Sequence, residues 1–451
     1  MNALSWLDTL TNFERKIPSK YSEKAFSLDR FRALLERLGN PQRSGIPTVH
    51  ILGTEGKGST LAFLEALLLS AGRRTKAFIS PHLVSVEERF RICGESVSTA
   101  ALTASLEKVR LAAVDLPEPT YFEALNAAFW LWVREAPPDY VLLETGLGGR
   151  LDTTSVCEAS LKILTRLERD HTALLGKTME KISGEKLAAL SPGCPVVIAP
   201  QSPFLMDRIR DYVTENRLNP IWAAECAESN IFSRSTREWR LGVRTRTIPN
   251  REFSIGLLGD HQADNFGTAL LAFETLGEKL PPGNGVIEVR PDWRGRCQAF
   301  ENPTGGTVIL DGSHTAMGGQ ALRKVLDQVL PDADREFLFA CSRDRNPWCY
   351  LRGLVRKEDR LRFVQYEHPR LWQAEELKES LVELGWNDYD NPKLEIASTE
   401  TVLKEAADST DERTTVVCGS LYWVGGVLAN GSFMNTLRTG TPADGGTISK
   451  C

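Results

Sequence analysis

The stretch that most constrains the fold runs from residue 48 to residue 60, Thr-Val-His-Ile-Leu-Gly-Thr-Glu-Gly-Lys-Gly-Ser-Thr. Residues 48–52 read as a buried strand. Three glycines and a lysine follow within residues 53–58, then Ser59-Thr60, then Leu61, Phe63, Leu64, Leu67 and Leu68 in a helical pattern. Strand, glycine turn, lysine, hydroxyl pair and helix form the layout of a phosphate-binding loop. Glycine lets backbone N–H groups approach an anion, the helix N-terminus adds positive potential, and the lysine neutralises charge. The spacing Gly-x-x-Gly-Lys-Gly-Ser-Thr is not the usual Gly-x4-Gly-Lys-Ser/Thr, and Glu55 places a carboxylate inside the loop, so a bare turn with a surface lysine stays open as the alternative.

A chain of 451 residues implies two or three domains with sizeable cores. The net charge of −5 gives no reason to expect a nucleic-acid partner. The nine cysteines are scattered without a Cys-x-x-Cys pair, which argues against a zinc site or a disulfide framework and suits a reducing, cytoplasmic location. Residues 1–16 lack an uninterrupted apolar stretch, so no signal peptide is expected. The longest apolar run, 61–71, contains Glu65 and is too short to span a bilayer, so no membrane partner is expected.

Strand and helix patterns alternate along the first half. Strands are expected at 74–79, 140–143, 161–167 and 195–199, and helices at 98–114, 120–134 and 178–190. This rhythm predicts a doubly wound, mainly parallel α/β sheet. Residues 230–258 break it and read as an antiparallel annex, followed by a helix at 261–276. The Pro/Gly-rich stretch 278–295 is the candidate linker. From 297 the alternation resumes, with strands at 307–310, 336–340, 361–366, 394–397 and 414–418 and helices at 318–330, 348–357, 373–384, 401–407 and 422–435. The expected units are therefore 1–290 and 297–436, with a disordered Gly/Thr-rich tail at 437–451.

In an open α/β sheet, ligands bind beyond the carboxyl ends of the strands. Five of the six histidines, His50, His82, His171, His261 and His314, fall near expected strand ends or glycine turns, and only His368 looks incidental. The phosphate loop, Ser80, Glu144 and His171 are all expected at that end of the sheet. A nucleoside triphosphate there would bring a divalent cation. Glu144 supplies a charged oxygen and Ser80 a neutral one, while His171 is a less typical magnesium ligand. Glu144 also reads as a carboxylate capping the next turn. Gly146-Leu-Gly-Gly-Arg-Leu-Asp152 lacks the spacing of a dinucleotide fingerprint and reads instead as a loop carrying Arg150 and Asp152 towards a substrate. Lys186 reads as a solvated helix lysine. Asp311-Gly-Ser-His314 ends an apolar strand, either as the second half's counterpart of the first cluster or as a simple turn.

Together these motifs resemble the folylpolyglutamate synthase and dihydrofolate synthase family of the Mur-ligase superfamily, from about residue 20 to about 430. The resemblance rests on residues 50–60, Ser80-Pro-His-Leu-Val84 with Glu88-Arg89, Thr120-Tyr-Phe-Glu123, residues 143–154, Asp170-His-Thr with Leu175-Gly and Thr178, and Glu185-Lys186. It continues through Gly259-Asp-His-Gln with Asn265, Trp293-Arg-Gly-Arg296, Asp311-Gly-Ser-His314 and Gly419-Ser-Leu-Tyr422. It implies an ATP-dependent amide ligase that joins L-glutamate to dihydropteroate or to tetrahydrofolate. The N-terminal catalytic domain would be followed by a smaller, Rossmann-like α/β domain, with ATP and Mg²⁺ between them and K⁺ as a candidate monovalent cation. The resemblance places ATP on Gly56, Lys57, Gly58 and Ser59, with Asn265, Arg296 and Asp311. It assigns metal to Ser80, Glu144, His171 and a carbamylated Lys186, which replaces the solvated reading of that lysine. The pterin substrate falls to Thr120, Tyr121, Phe122, Glu123, Leu151, Asp152 and Thr153. Lys57, Lys186, Asp311 and His314 are the implied catalytic groups, the partners are small molecules, and a monomer is expected. Glu55, Ser155, Glu87 and Thr315-Ala316 depart from the family pattern, and Glu55 should repel polyphosphate unless it meets a cation. Two rival readings are a related ligase acting on another carboxylate and a nucleotide-binding protein without ligase activity.

Overall fold

The computed structural model describes residues 2–15, 26–387 and 390–439, which are organised around three sheets. The first has eight strands in the order Glu95–Ser96, Phe90–Ile92, Thr75–Phe78, Tyr140–Glu144, Thr48–Leu52, Leu161–Leu164, Pro195–Ile198, Asn219–Trp222. It is parallel except at Phe90–Ile92, which pairs antiparallel with both neighbours. Thr48–Leu52 lies in the interior, with Ile51 opposite both Glu144 and Ile163. All five of its residues are buried, as a strand covered on both faces requires.

The glycine turn leads from that strand into the helix Lys57–Ser70, whose Leu61, Phe63, Leu64, Leu67 and Leu68 are all fully buried. A helix apolar on all sides must itself be covered. The cover is the helix Asp260–Thr275, with the rings of Phe63 and Phe266 5.4 Å apart. Truncating Phe63 to alanine would cost about 3–5 kcal/mol. The opposite face of the sheet is covered by Tyr121–Glu135, where Thr120 and Glu123 form a reciprocal capping box.

The annex is present as Glu228–Arg234, Trp239–Arg244 and Arg251–Ile255, paired antiparallel. Ile287–Val289 joins it parallel to Arg251–Ile255. Part of the expected linker 278–295 is thus a strand, and the connection between the large sheets begins after Val289. The missed signal is short: three residues whose partner lies more than thirty positions earlier in the chain.

The third sheet has seven strands, ordered Leu394–Ser398, Arg360–Gln365, Arg335–Phe339, Thr414–Cys418, Thr307–Asp311, Gln298–Glu301, Arg438–Thr439. Its first five strands are parallel, and Gln298–Glu301 pairs antiparallel with both neighbours. Two expectations change here. The helix expected over 422–435 is broken at Asn430 into Leu421–Ala429 and Gly431–Met434, with the Asn430 side chain capping the second piece. The tail expected to be disordered from 437 begins with the paired strand Arg438–Thr439, and residues 440–451 lie outside the described residues. Among the described residues no helix is long and apolar enough to cross a membrane.

Candidate active site

The carboxyl ends of the parallel strands of both large sheets open onto one cavity of about 960 Å³, the location that open α/β sheets favour for ligands. Gly56, Lys57, Gly58, Ser59, Asn265, Arg296 and Asp311 all line it. In the loop, Gly56 has φ 80°, and a side chain there would meet Asn265 Oδ1 at 2.4 Å, so glycine is needed on both counts. The N–H groups of Thr54 and Glu55 donate to the Arg166 carbonyl, each at 3.0 Å. Lys57 opens the helix, and its Nζ donates to the Thr54 carbonyl at 3.0 Å. The covering helix orients the loop hydroxyl: Asn265 Nδ2 donates to Gln262 Oε1 (2.9 Å), and Gln262 Nε2 donates to Ser59 Oγ (3.3 Å).

Beside the loop, the Ser80 N–H donates to Glu144 Oε2 at 3.3 Å. Burial pushes the Glu144 carboxyl up, opposed by Lys57, the Ser80 N–H and Arg296. A buried carboxylate next to a hydroxyl, facing a phosphate seat, fits one hard cation completed by phosphate oxygens and water. The rest of the expected metal set is arranged differently. His171 Nε2 lies 3.5 Å from Asp170 Oδ2. Burial, together with Arg345, Lys186 and Lys57, lowers the His171 pKa to about 4 against the pull of Asp170, so the imidazole is neutral. Lys186 stands behind the loop rather than on the cavity surface, with Nζ donating to the carbonyls of Gly53 (2.7 Å) and Gly148 (3.4 Å). It is buried, not solvated, and burial and Lys57 bring its pKa down to about 7. As a free amine it is no cation ligand. Among the described residues no group of three or more His, Cys, Asp or Glu is placed to hold a metal ion.

The second sheet supplies the facing wall. Asp311 ends its strand, with Oδ2 accepting from the Cys297 N–H and Oδ1 from the Ser313 N–H, both at 2.9 Å. His314 lines the cavity, and burial and Arg345 lower its pKa to about 4. Arg345 crosses the cleft to pair with Asp170. Burial alone would raise the Asp170 carboxyl, but His171, Arg345 and His314 outweigh it and hold it well below the usual range. The charge of Glu55 favours the protonated forms of Arg345, Lys186 and His314, and of these Arg345 is the permanent cation.

At the other end of the cavity, Thr120, Phe122, Glu123, Leu151, Asp152 and Thr153 line a pocket with Phe13, Phe26, Leu28 and Leu147. Glu123 pairs with Arg30 through Nη2–Oε1 (2.7 Å) and Nε–Oε2 (2.9 Å). Asp152 accepts from the N–H groups of Leu147 and Thr154, each at 2.9 Å, and burial raises its pKa against those bonds.

Several expectations do not hold. Tyr121 is turned away from the cavity, with the Arg89 guanidinium 5.6 Å from its ring centre. Arg150 pairs with Glu185 and is not among the residues that line the cavity. His50 is buried within its strand between the hydroxyls of Thr154 (2.9 Å) and Thr145 (2.8 Å). His82 Nδ1 accepts from Arg89 Nε at 2.9 Å. The histidine map therefore overcounts, and His171, His261 and His314 are the ones on the cavity. The reading also missed the Arg345–Asp170 pair. Its available signal was Asp344-Arg345-Asn346 just beyond the strand Arg335–Phe339, the same strand-end logic that found Asp311.

Comparisons with known proteins agree with this geometry. Residues 300–430 match the family model described as dihydrofolate synthetase, C-terminal domain. The chain is 28% identical over 417 residues to the dihydrofolate synthase/folylpolyglutamate synthase of Bacillus subtilis, covering 88% of this chain and 93% of the relative. The structure of Escherichia coli FolC in complex with DHPP and ADP superposes with a TM-score of 0.76 at 26% identity, over 95% of this chain and 97% of that one. A bifunctional folylpolyglutamate synthase/dihydrofolate synthase with Mn, AMPPNP and L-glutamate bound superposes with a TM-score of 0.75 at 26% identity, over 95% and 98%.

Proposed function

The chain belongs to the folylpolyglutamate synthase and dihydrofolate synthase family, and from that premise we propose that it is an ATP-dependent ligase joining L-glutamate to dihydropteroate, to tetrahydrofolate and its polyglutamates, or to both. The observation that carries this reading is the shared cavity, which brings a phosphate loop, an aromatic pocket with buried carboxylates, and the second-sheet groups Asp311 and His314 to one space. We assign residues 1–290 to the ATP-binding unit and 297–436 to the glutamate-ligase unit. Because one chain supplies both walls, we take the working form to be a monomer. We place it in the cytoplasm, a reducing compartment that the scattered cysteines suit.

The chemistry follows from a carboxylate's poor reactivity towards amines. The acid substrate's carboxylate attacks the γ-phosphorus of ATP, the bond to the β-phosphate oxygen breaks, and ADP leaves. The product is an acyl phosphate with a good leaving group. Phosphoryl transfer is mostly positioning and charge neutralisation. The N–H groups at the N-terminus of the helix Lys57–Ser70, Lys57 and Arg296 do both for the phosphates. The glutamate amine then attacks the acyl carbon, loses a proton and expels inorganic phosphate. Ser80 and Glu144 would hold Mg²⁺, which would neutralise the phosphate oxygens. Lys186, carbamylated as the resemblance implies, would with His171 hold a second cation. Asp311 and His314 position the intermediate from the facing wall, which makes apposition of the two units a condition of turnover.

The test is to incubate the purified protein with ATP, Mg²⁺, L-glutamate and either dihydropteroate or tetrahydrofolate, following ADP release and product mass. Glutamate-dependent product with either pterin is the expected result. ADP release only with other acids, or ATP binding without turnover, would overturn the reading.

A further inference from the structure

We infer that Trp293 is a positioning residue that seats Arg296 on the phosphate loop, an inference that rests on the ATP-binding reading of that loop. Trp293 lies in the connection between Ile287–Val289 and Gln298–Glu301, three residues before Arg296, and does not itself line the cavity. Its indole lies against Gly58. A Cβ on Gly58 would fall 3.3 Å from Nε1 of the ring and 2.6 Å from Cζ2, the second closer than any side chain tolerates unless the ring moves. Gly58 is an ordinary helical residue, absent from the positive-φ glycines. Backbone conformation therefore does not demand glycine there, whereas the indole does.

A buried ion pair fixes the indole from below. Glu65, on the same helix as Gly58, is 2% exposed. It accepts from Arg91 Nε (3.0 Å), Thr75 Oγ1 (3.1 Å) and the Gly94 N–H (3.2 Å). The Arg91 guanidinium lies 5.1 Å from the Trp293 ring centre, and its Nη2 donates to the Asp292 carbonyl at 3.4 Å. The phosphate-loop helix thus grips the connection twice, through Gly58 directly and through Glu65–Arg91. On the far side, the Gly312 N–H donates to the Gly295 carbonyl and the Cys297 N–H to Asp311 Oδ2, both at 2.9 Å. Arg296 lies between these two anchorages, and Glu144, His261 and His314 all feel its charge. One anchorage belongs to the phosphate seat and the other to the facing wall, so the position of Arg296 relative to Lys57 is set by the indole.

The test is a cycle of Trp293→Ala, Trp293→Phe, Arg296→Ala and the Trp293→Ala/Arg296→Ala double variant, measuring kcat and KM for ATP and, by calorimetry, ATP binding. Trp293→Ala should lower kcat/KM for ATP roughly 10–100-fold, the cost of misplacing a catalytic charge by about an ångström. Trp293→Phe should stay within about 3-fold of wild type, since a smaller ring still occupies the space over Gly58. The double variant should be no worse than Arg296→Ala alone, because the two residues act as one unit. Wild-type behaviour of Trp293→Ala, or losses that multiply in the double variant, would overturn the inference. If the wild-type protein binds ATP but ligates no pterin, the functional reading fails, and the binding cycle alone still decides the role of Trp293.

Discussion

The two walls of the cleft are built from different materials. The phosphate wall is largely backbone. A glycine turn leaves a strand buried in the sheet interior, the N–H groups of Thr54 and Glu55 at its start are tied to the Arg166 carbonyl, and its helix is covered by Asp260–Thr275. The facing wall is made of side chains from separate strand ends: Asp311 after one strand and Arg345 beyond another, with His314 in the turn between strand and helix. Local sequence order builds the first wall, whereas the second exists as a site only when Arg345 meets Asp170 across the cleft. A preformed anion seat and an apposed wall should therefore respond differently to substitution.

The largest effect is expected at the seat. Lys57→Ala should lower kcat/KM for ATP by about 10³-fold or more. Its melting temperature should be unchanged, since among the described residues the Nζ of Lys57 bonds to its own loop. A wild-type rate in a coupled ADP assay would refute this. Lys186→Ala should lower turnover by at least about 10²-fold, as expected for loss of a metal-holding group. Retained turnover in a folded Lys186→Ala protein would make the lysine purely structural, a tie between the Gly53 and Gly148 carbonyls.

At the facing wall, Arg345→Ala should cost roughly 10–100-fold in kcat/KM, with little added loss when Asp170→Asn is combined with it, because the two form one contact. Independent, multiplying losses would show that the walls are not joined through this pair. Beneath the seat, His50 is held neutral by burial and by Lys162, with its pKa lowered from 6.5 to about 3. Below pH 6.5 the unfolded chain binds a proton that the folded one refuses, so stability is fully present above pH 6.5 and is lost as pH falls towards 3. The loss reaches about 2 kcal/mol by pH 5. Denaturant unfolding at pH 7 and pH 5 should show that slope reduced in His50→Gln. An equal slope in both proteins would remove His50 as the cause. The smallest effect is expected for Glu55→Asn, within about 3-fold in KM for ATP, since the Arg345 guanidinium on the facing wall feels its charge.

What was legible in the sequence follows the same division. The phosphate wall could be read because its meaning lies in consecutive residues: the glycines, Lys57 and Ser59 need only a strand before them and a helix after. Asp311 and His314 were found by the same strand-end logic. The Arg345–Asp170 pair was not, because a strand-end position alone does not name a partner and their partnership depends on how two sheets face each other. His50 misled for the complementary reason. It precedes a glycine turn as a ligand would, but its strand continues past it to Leu52 and turns the imidazole into the core. Ile287–Val289 and Arg438–Thr439 escaped because very short strands are specified by their partners rather than by their own pattern. Tyr121 faced the wrong way for a simpler reason: on a helix, Thr120, Phe122 and Glu123 cannot all share a face with it.

The central claim is that the cleft moves a phosphoryl group from ATP to a carboxylate before glutamate attacks. The most direct measurement uses dihydropteroate, or tetrahydrofolate if that is the accepted acid, labelled with ¹⁸O in the carboxylate, with the released inorganic phosphate analysed by mass. Transfer of one labelled oxygen to phosphate in each turnover is the predicted result. Glutamate-dependent product accompanied by unlabelled phosphate would contradict the account.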